Sequence, residues 1–125
     1  MKILVPTAGS VPARENAEYI ANIAKRLAAE LTVLHVLKDE EQAEKGEQAL
    51  NLFSEAGQNV QVNVTKILKK GEIVPAIIEA AEKESADLIV MGASRGKVLA
   101  EWLSADVMTK TTIPVVVIPH ELKAL

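Results

Sequence analysis

The sequence predicts a three-layer α/β/α protein whose five-stranded parallel sheet has the strand order 3-2-1-4-5. Three observations carry that expectation. Five short apolar runs alternate with segments of helical period along 125 residues, a length that suits one domain, 1–125. Among the first four runs, two, Ile3-Leu4-Val5 and Leu88-Ile89-Val90-Met91, contain no polar residue. Strands covered on both faces read this way, so the first and fourth strands belong at the centre. Small residues follow both runs, in Pro6-Thr7-Ala8-Gly9-Ser10 and Gly92-Ala93-Ser94-Arg95-Gly96-Lys97. In that strand order the two loops flank the topological switch, where ligands bind beyond the carboxyl ends of the strands.

Each element has a local cause. Ala13 to Glu30 reads as a helix because Ile20, Ile23, Ala24, Leu27 and Leu31 fall three and four apart on one face. Leu31 to Leu37 is the second strand. Asp39 to Ala56 is a helix whose charged first half, Asp39 to Lys45, is a solvated face, with Gly57 placed as its C-cap. Val60 to Leu68 alternates Val60, Val62 and Val64 against Gln61, Asn63 and Thr65, the period of a strand with one wet face at a sheet edge. Gly71 precedes a helix from Ile73 to Glu84, which tolerates Pro75 in its first turn. A fourth helix spans Lys97 to Thr109, and Val115 to Ile118 forms the last strand between Pro114 and Pro119.

Composition removes several classes of function. Hydrophobic residues at 49% can fill a core, but one Phe, one Tyr and one Trp leave little for stacking on bases. The net charge is −3 with scattered basic residues, so no cationic surface exists to displace phosphate counterions, and nucleic acid is excluded as a partner. The absence of cysteine excludes disulfides, thiolate metal sites and cysteine nucleophiles. His35 and His120 have no partner at metal-ligand spacing; the first reads as a satisfied structural histidine and the second as a surface one. Trp102 lies on a helical stripe with Leu99 and Leu103 and reads as packing, and Asp87 reads as a turn residue. No Ser/His/Asp set or paired carboxylates emerge, so no catalytic or metal residue is expected. No apolar run reaches the length of a signal peptide or a membrane span, and the expected location is cytoplasmic, with no membrane partner.

The two loops carry what chemistry there is. Gly92 to Lys97 joins a buried strand to a helix start, so free amides, the helix N-terminus, Arg95 and Lys97 can form an anion site. Equally, its glycines can serve only the geometry of a tight turn. It is not a P-loop, because three residues separate the glycines and Val98 follows Lys97. Pro6 to Ser10 either lines a crevice or supplies, through Ser10, the start of the next helix. No Gly-x-Gly-x-x-Gly occurs, which argues against a dinucleotide site.

In order along the chain, Lys2-Ile3-Leu4-Val5-Pro6-Thr7 with Gly9-Ser10, Leu31 to Val36, Gly71, Ala86 to Gly92, and Ile113 to Val117 resemble the universal stress protein family over nearly the whole sequence. The resemblance implies a five-stranded fold of the adenine nucleotide alpha hydrolase-like or flavodoxin-like layout. It implies a non-enzymatic stress-response or regulatory protein that acts through partner proteins. It also implies a homodimer paired through the last strand, Val115, Val116, Val117 and Ile118, an apolar edge that would otherwise invite aggregation.

ATP-binding members of that family hold ATP with Mg on a Gly-x2-Gly-x9-Gly-[Ser/Thr] segment, and an Asp in the first loop contacts the nucleoside. By resemblance Pro6, Thr7, Ala8, Val36, Met91, Gly92, Ser94, Arg95, Gly96, Lys97 and Ser104 are the candidate nucleotide-binding residues. Pro6, Val36, Met91 and Gly92 match the pattern directly, and Gly96 matches after a one-residue insertion. Ala8 stands where the family's Asp belongs. The third glycine is missing, the stretch from Gly92 to Pro114 is about one helical turn short of the pattern, and Ser104 is the nearest hydroxyl, followed by Ala105-Asp106. These departures imply weak or no ATP binding; the alternative is a nucleotide-dependent sensor. A flavin carrier lacks ring-stacking aromatics at these loops. A phospho-receiver lacks its acidic residues, since Thr7-Ala8 and Leu68-Lys69 occupy those places.

Overall fold

Nine elements alternate through the residues described by the computed structural model, 1–7, 14–37, 43–92 and 98–119. They are β1 (Lys2–Thr7), α1 (Arg14–Arg26), β2 (Glu30–Leu37), α2 (Ala43–Val60), β3 (Val64–Lys70), α3 (Ile73–Lys83), β4 (Leu88–Gly92), α4 (Val98–Lys110) and β5 (Val115–Ile118). The strands form one parallel sheet of order β3-β2-β1-β4-β5, as the apolar runs predict. Strand alternation divides the core into two layers. Ile3, Val5, Leu31, Val33 and Val90 pack with Ala17, Ile20 and Ala21 of α1 and with Leu50 and Phe53 of α2. Leu4, Leu34, Val36, Ile89 and Met91 pack on the other side with Ala76 and Ile77 of α3 and Val107 of α4.

The first three helices stop in the same way. Ala28, Gln61 and Ser85 follow α1, α2 and α3 in the left-handed region, with φ of 52°, 61° and 53°. Just beyond each, a backbone N–H reaches back five residues: Ala29 to the carbonyl of Ala24 (2.8 Å), Val62 to Gly57 (2.8 Å) and Ala86 to Ala81 (2.9 Å). This is the Schellman arrangement, built here without the glycine that adopts it at no steric cost. Replacing any of the three by Gly relieves a Cβ clash that exceeds glycine's entropic penalty. Each change should raise stability by up to about 1 kcal/mol, read as a higher urea midpoint at unchanged slope.

Several boundaries differ from the sequence reading, and the differences have causes. α1 ends at Arg26 because the left-handed Ala28 turns the chain there, which leaves Leu27 exposed rather than on the apolar face. α2 runs on to Val60, so Gly57 is a buried residue inside the helix and not its cap. β3 accordingly begins at Val64; Val60 closes the helix, and Val62 is buried in the turn between them. As expected, Asp87 sits in the turn before β4. Lys2 N donates to its Oδ2 (2.8 Å) and its own N–H donates to Lys2 O (2.8 Å), which fixes the start of β1 beside the approach to β4.

Candidate functional site

The two edges of the sheet have opposite chemistry. β3 carries Lys66, Lys69 and Lys70 within seven residues. Lys69 Nζ lies 2.7 Å from Glu79 on α3, and Lys66 Nζ donates to Asn51 on α2 at 3.3 Å. The lysines therefore cover both faces of that edge with charge. β5 consists only of Val115, Val116, Val117 and Ile118, of which Val116 and Val117 are 41% and 43% exposed. Ile89 N donates to Pro114 O, so ladder alternation turns the polar backbone groups of Val115 and Val117 away from β4, toward the open edge.

At the carboxyl end of the sheet, β1 stays paired with β2 up to Thr7 and His35. Its pairing with β4 stops at Leu4 and Ile89. The next β1 residue whose backbone faces β4 is Pro6, which has no N–H to donate, so the ladder stops there, at the topological switch between the two central strands. Pro6, Val36, Met91 and Gly92 are brought to this place from three adjoining strands. Val36 and Met91 are buried on the α3 and α4 side. Alternation puts Pro6 on that side also. Gly92 is exposed, and a Cβ there would meet nothing within 4 Å. Ser104 is buried on α4. Ala8, Ser94, Arg95, Gly96, Lys97 and His120 lie outside the described residues, as does the side chain of Trp102.

Thr7 is placed apart from this group. Its side chain turns to the α1 and α2 face, where Oγ1 lies 2.9 Å from His35 Nδ1 and 3.4 Å from Leu34 O. The imidazole is 2% exposed and rests on Gly46, where a Cβ would come within 2.7 Å of its Cδ2. Burial holds its pKa below the ordinary 6.5, so the ring is neutral at pH 7. The sequence reading of His35 as a satisfied structural histidine agrees with this arrangement, but it did not join His35 to Thr7. The parallel register does: Lys2 opposes Glu30, an offset of 28, and the same offset carries Thr7 to His35. Among the described residues no group of His, Asp or Glu is placed to hold a metal ion. At the opposite end of the sheet, a shallow hollow of about 300 Å³ lies between the ends of α1 and α2, with Ala24, Ala29 and Val62 among its lining. No helix among the described residues is long and apolar enough to cross a membrane.

Comparison with known proteins now decides the family. The sequence profile of the Universal stress protein family matches residues 1–119. The chain belongs to the universal stress protein family. A universal stress protein of Methanocaldococcus jannaschii is 33% identical over 107 residues, covering 73% of this chain and 63% of that protein, so the match spans less than two thirds of the relative's length. The fold is shared with the universal stress protein of Archaeoglobus fulgidus solved in complex with dAMP (TM-score 0.75, 20% identity, 94% of this chain and 96% of that one). It is also shared with a universal stress protein family protein of Arabidopsis thaliana with AMP bound (TM-score 0.73, 18% identity, 97% and 92%). As the sequence resemblance implies, the strand order and three-layer arrangement are those of this family.

Proposed function

We propose that this universal stress protein is a non-enzymatic regulatory protein that works as a homodimer through β5 and binds ATP weakly or not at all. The observation that carries the ligand reading is the end of β1: its last described hydroxyl, Thr7 Oγ1, is buried against His35 on the face away from Pro6, Val36 and Met91. Position 8, next along the chain, is Ala where ATP-binding members carry a carboxylate. A nucleoside at these strand ends therefore loses a hydrogen-bond partner that the rest of the strand end does not replace. The dimer reading is supported by the contrast between the lysine-covered β3 edge and the uncharged β5 edge.

A second reading, a nucleotide-dependent sensor, is favoured by the open space above Gly92 at the end of β4 and by the adenine nucleotides bound to the two solved relatives. Calorimetric titration with ATP and magnesium separates them. The first reading expects no saturable heat up to about millimolar ATP, an affinity of roughly −4 kcal/mol or weaker. Micromolar saturation, abolished by Gly96→Val, would establish the sensor instead. Sedimentation at high micromolar protein should show a dimer, and the double change Val116→Lys/Val117→Lys should yield a folded monomer. A wild-type protein that sediments only as monomer removes the β5 pairing.

A further inference from the structure

The row Thr7–His35–Leu68 crosses β1, β2 and β3 in register at the carboxyl end of the sheet, beneath the first turn of α2. Only glycine fits above it: a Cβ at position 46 would come within 2.7 Å of His35 Cδ2 and 2.9 Å of Leu68 Cδ1. The helix backbone is thus seated directly on the imidazole, with no space for a water to solvate a charge on that side. We propose that His35 is an acid-sensitive latch, whose protonation unseats the first two turns of α2 from the sheet.

The geometry supplies the reasons. A charged ring here would be 2% exposed and would face the N-terminal turn of α2, the positive end of the helix dipole. Thr7 can adapt to either protonation state. Its hydroxyl donates to Nδ1 when that atom is bare, and accepts from Nδ1–H while donating to Leu34 O when it is not. The neighbouring charges are mixed. α2 presents Glu44, Lys45 and Glu47 at exposed positions, and β3 presents Lys66 and, by alternation, Lys70 on the same face. β1 contributes only Thr7 there. Residues 38–42, outside the described residues, carry Lys38, Asp39, Glu40 and Glu41 in sequence.

Burial lowers the closed-state pKa of His35, so the open state takes up a proton first as pH falls below about 6.5, and acid favours opening. The latch does not depend on whether a nucleotide binds, and its test uses the protein alone. Amide hydrogen exchange at about pH 7.5 and about pH 5.5, corrected for intrinsic rates, should show residues 43–50 opening about tenfold more often in acid. That is the factor gained per pH unit below the open-state pKa. His35→Asn keeps a partner for Thr7 but cannot titrate there, and should abolish the increase. No local increase, an equal increase in β1 and β4, or an increase that survives in His35→Asn overturns the proposal. Should His35→Asn not fold, NMR titration of the wild-type imidazole decides, with His120→Asn assigning its signal. The latch requires titration below 6.5 in step with the exchange, and titration at or above 6.5 removes it.

Discussion

Phe53→Ala should lower stability by about 3–5 kcal/mol, the upper part of the range for removing a buried side chain. Phe53 is the chain's only phenylalanine and is 1% exposed. It projects from α2 into the layer shared with Ile3, Val5 and Val33, and the helix facing α2 across that layer is α1, whose buried residues are Ala17, Ile20, Ala21 and Ala24. Alanines have no rotamers with which to fill a void, and the strands beneath are pinned by the ladder on both sides. The cavity therefore stays open, and the loss includes its full volume as well as the transfer of the ring. Against a total of about 5–15 kcal/mol, the variant sits near the edge of folding. Urea unfolding followed by circular dichroism should show a much lower midpoint at unchanged slope. A loss below about 1 kcal/mol would mean that α1 collapses onto the sheet, and that the layer is held by something other than this ring.

How far the sequence could be read depends on whether the signal was local. The strand order was legible because β1 and β4 are unbroken apolar runs and because βα alternation permits few topologies. The family was legible because its segments recur in order over residues 1–119. The site was legible only as strand ends. That the β1–β4 ladder stops after Leu4 while β1 keeps β2 as far as Thr7 has a local cause in Pro6, which has no N–H, but which neighbour loses the bond depends on the strand order. Thr7 and His35 were each conspicuous, yet their bond joins residues 28 apart and follows from register alone. The clearest misreading was Val60, Val62 and Val64, whose period of two suggested one strand. Those valines occupy the end of a helix, a turn and a strand start, three backbone states that happen to bury alternate residues. Once α2 was ended too early, Gly57 had to be its cap.

The true position of Gly57 yields the second large effect. In an open helix, Gly→Ala gains about 1 kcal/mol of propensity. At Gly57 the added methyl would be driven into Val64 Cγ2 and would sit 2.9 Å from Val62 O. Val64 is β-branched and paired with Leu31, and Val62 N is bonded back to Gly57 O, so neither obstacle swings aside. Overpacking should exceed the propensity gain, for a net loss of about 1–3 kcal/mol in urea unfolding. Stabilisation instead would mean that the end of α2 stands off β3. Gly46→Ala probes the other end of the same helix, where one obstacle, Leu68, is 39% exposed and free to yield, while the other is the buried His35 ring. Its cost should therefore be smaller than that of Gly57→Ala, and it should fall on the seat of α2 above Thr7 and His35. The two glycines separate what α2 does for the fold, which is to anchor β3, from what it does at the strand ends.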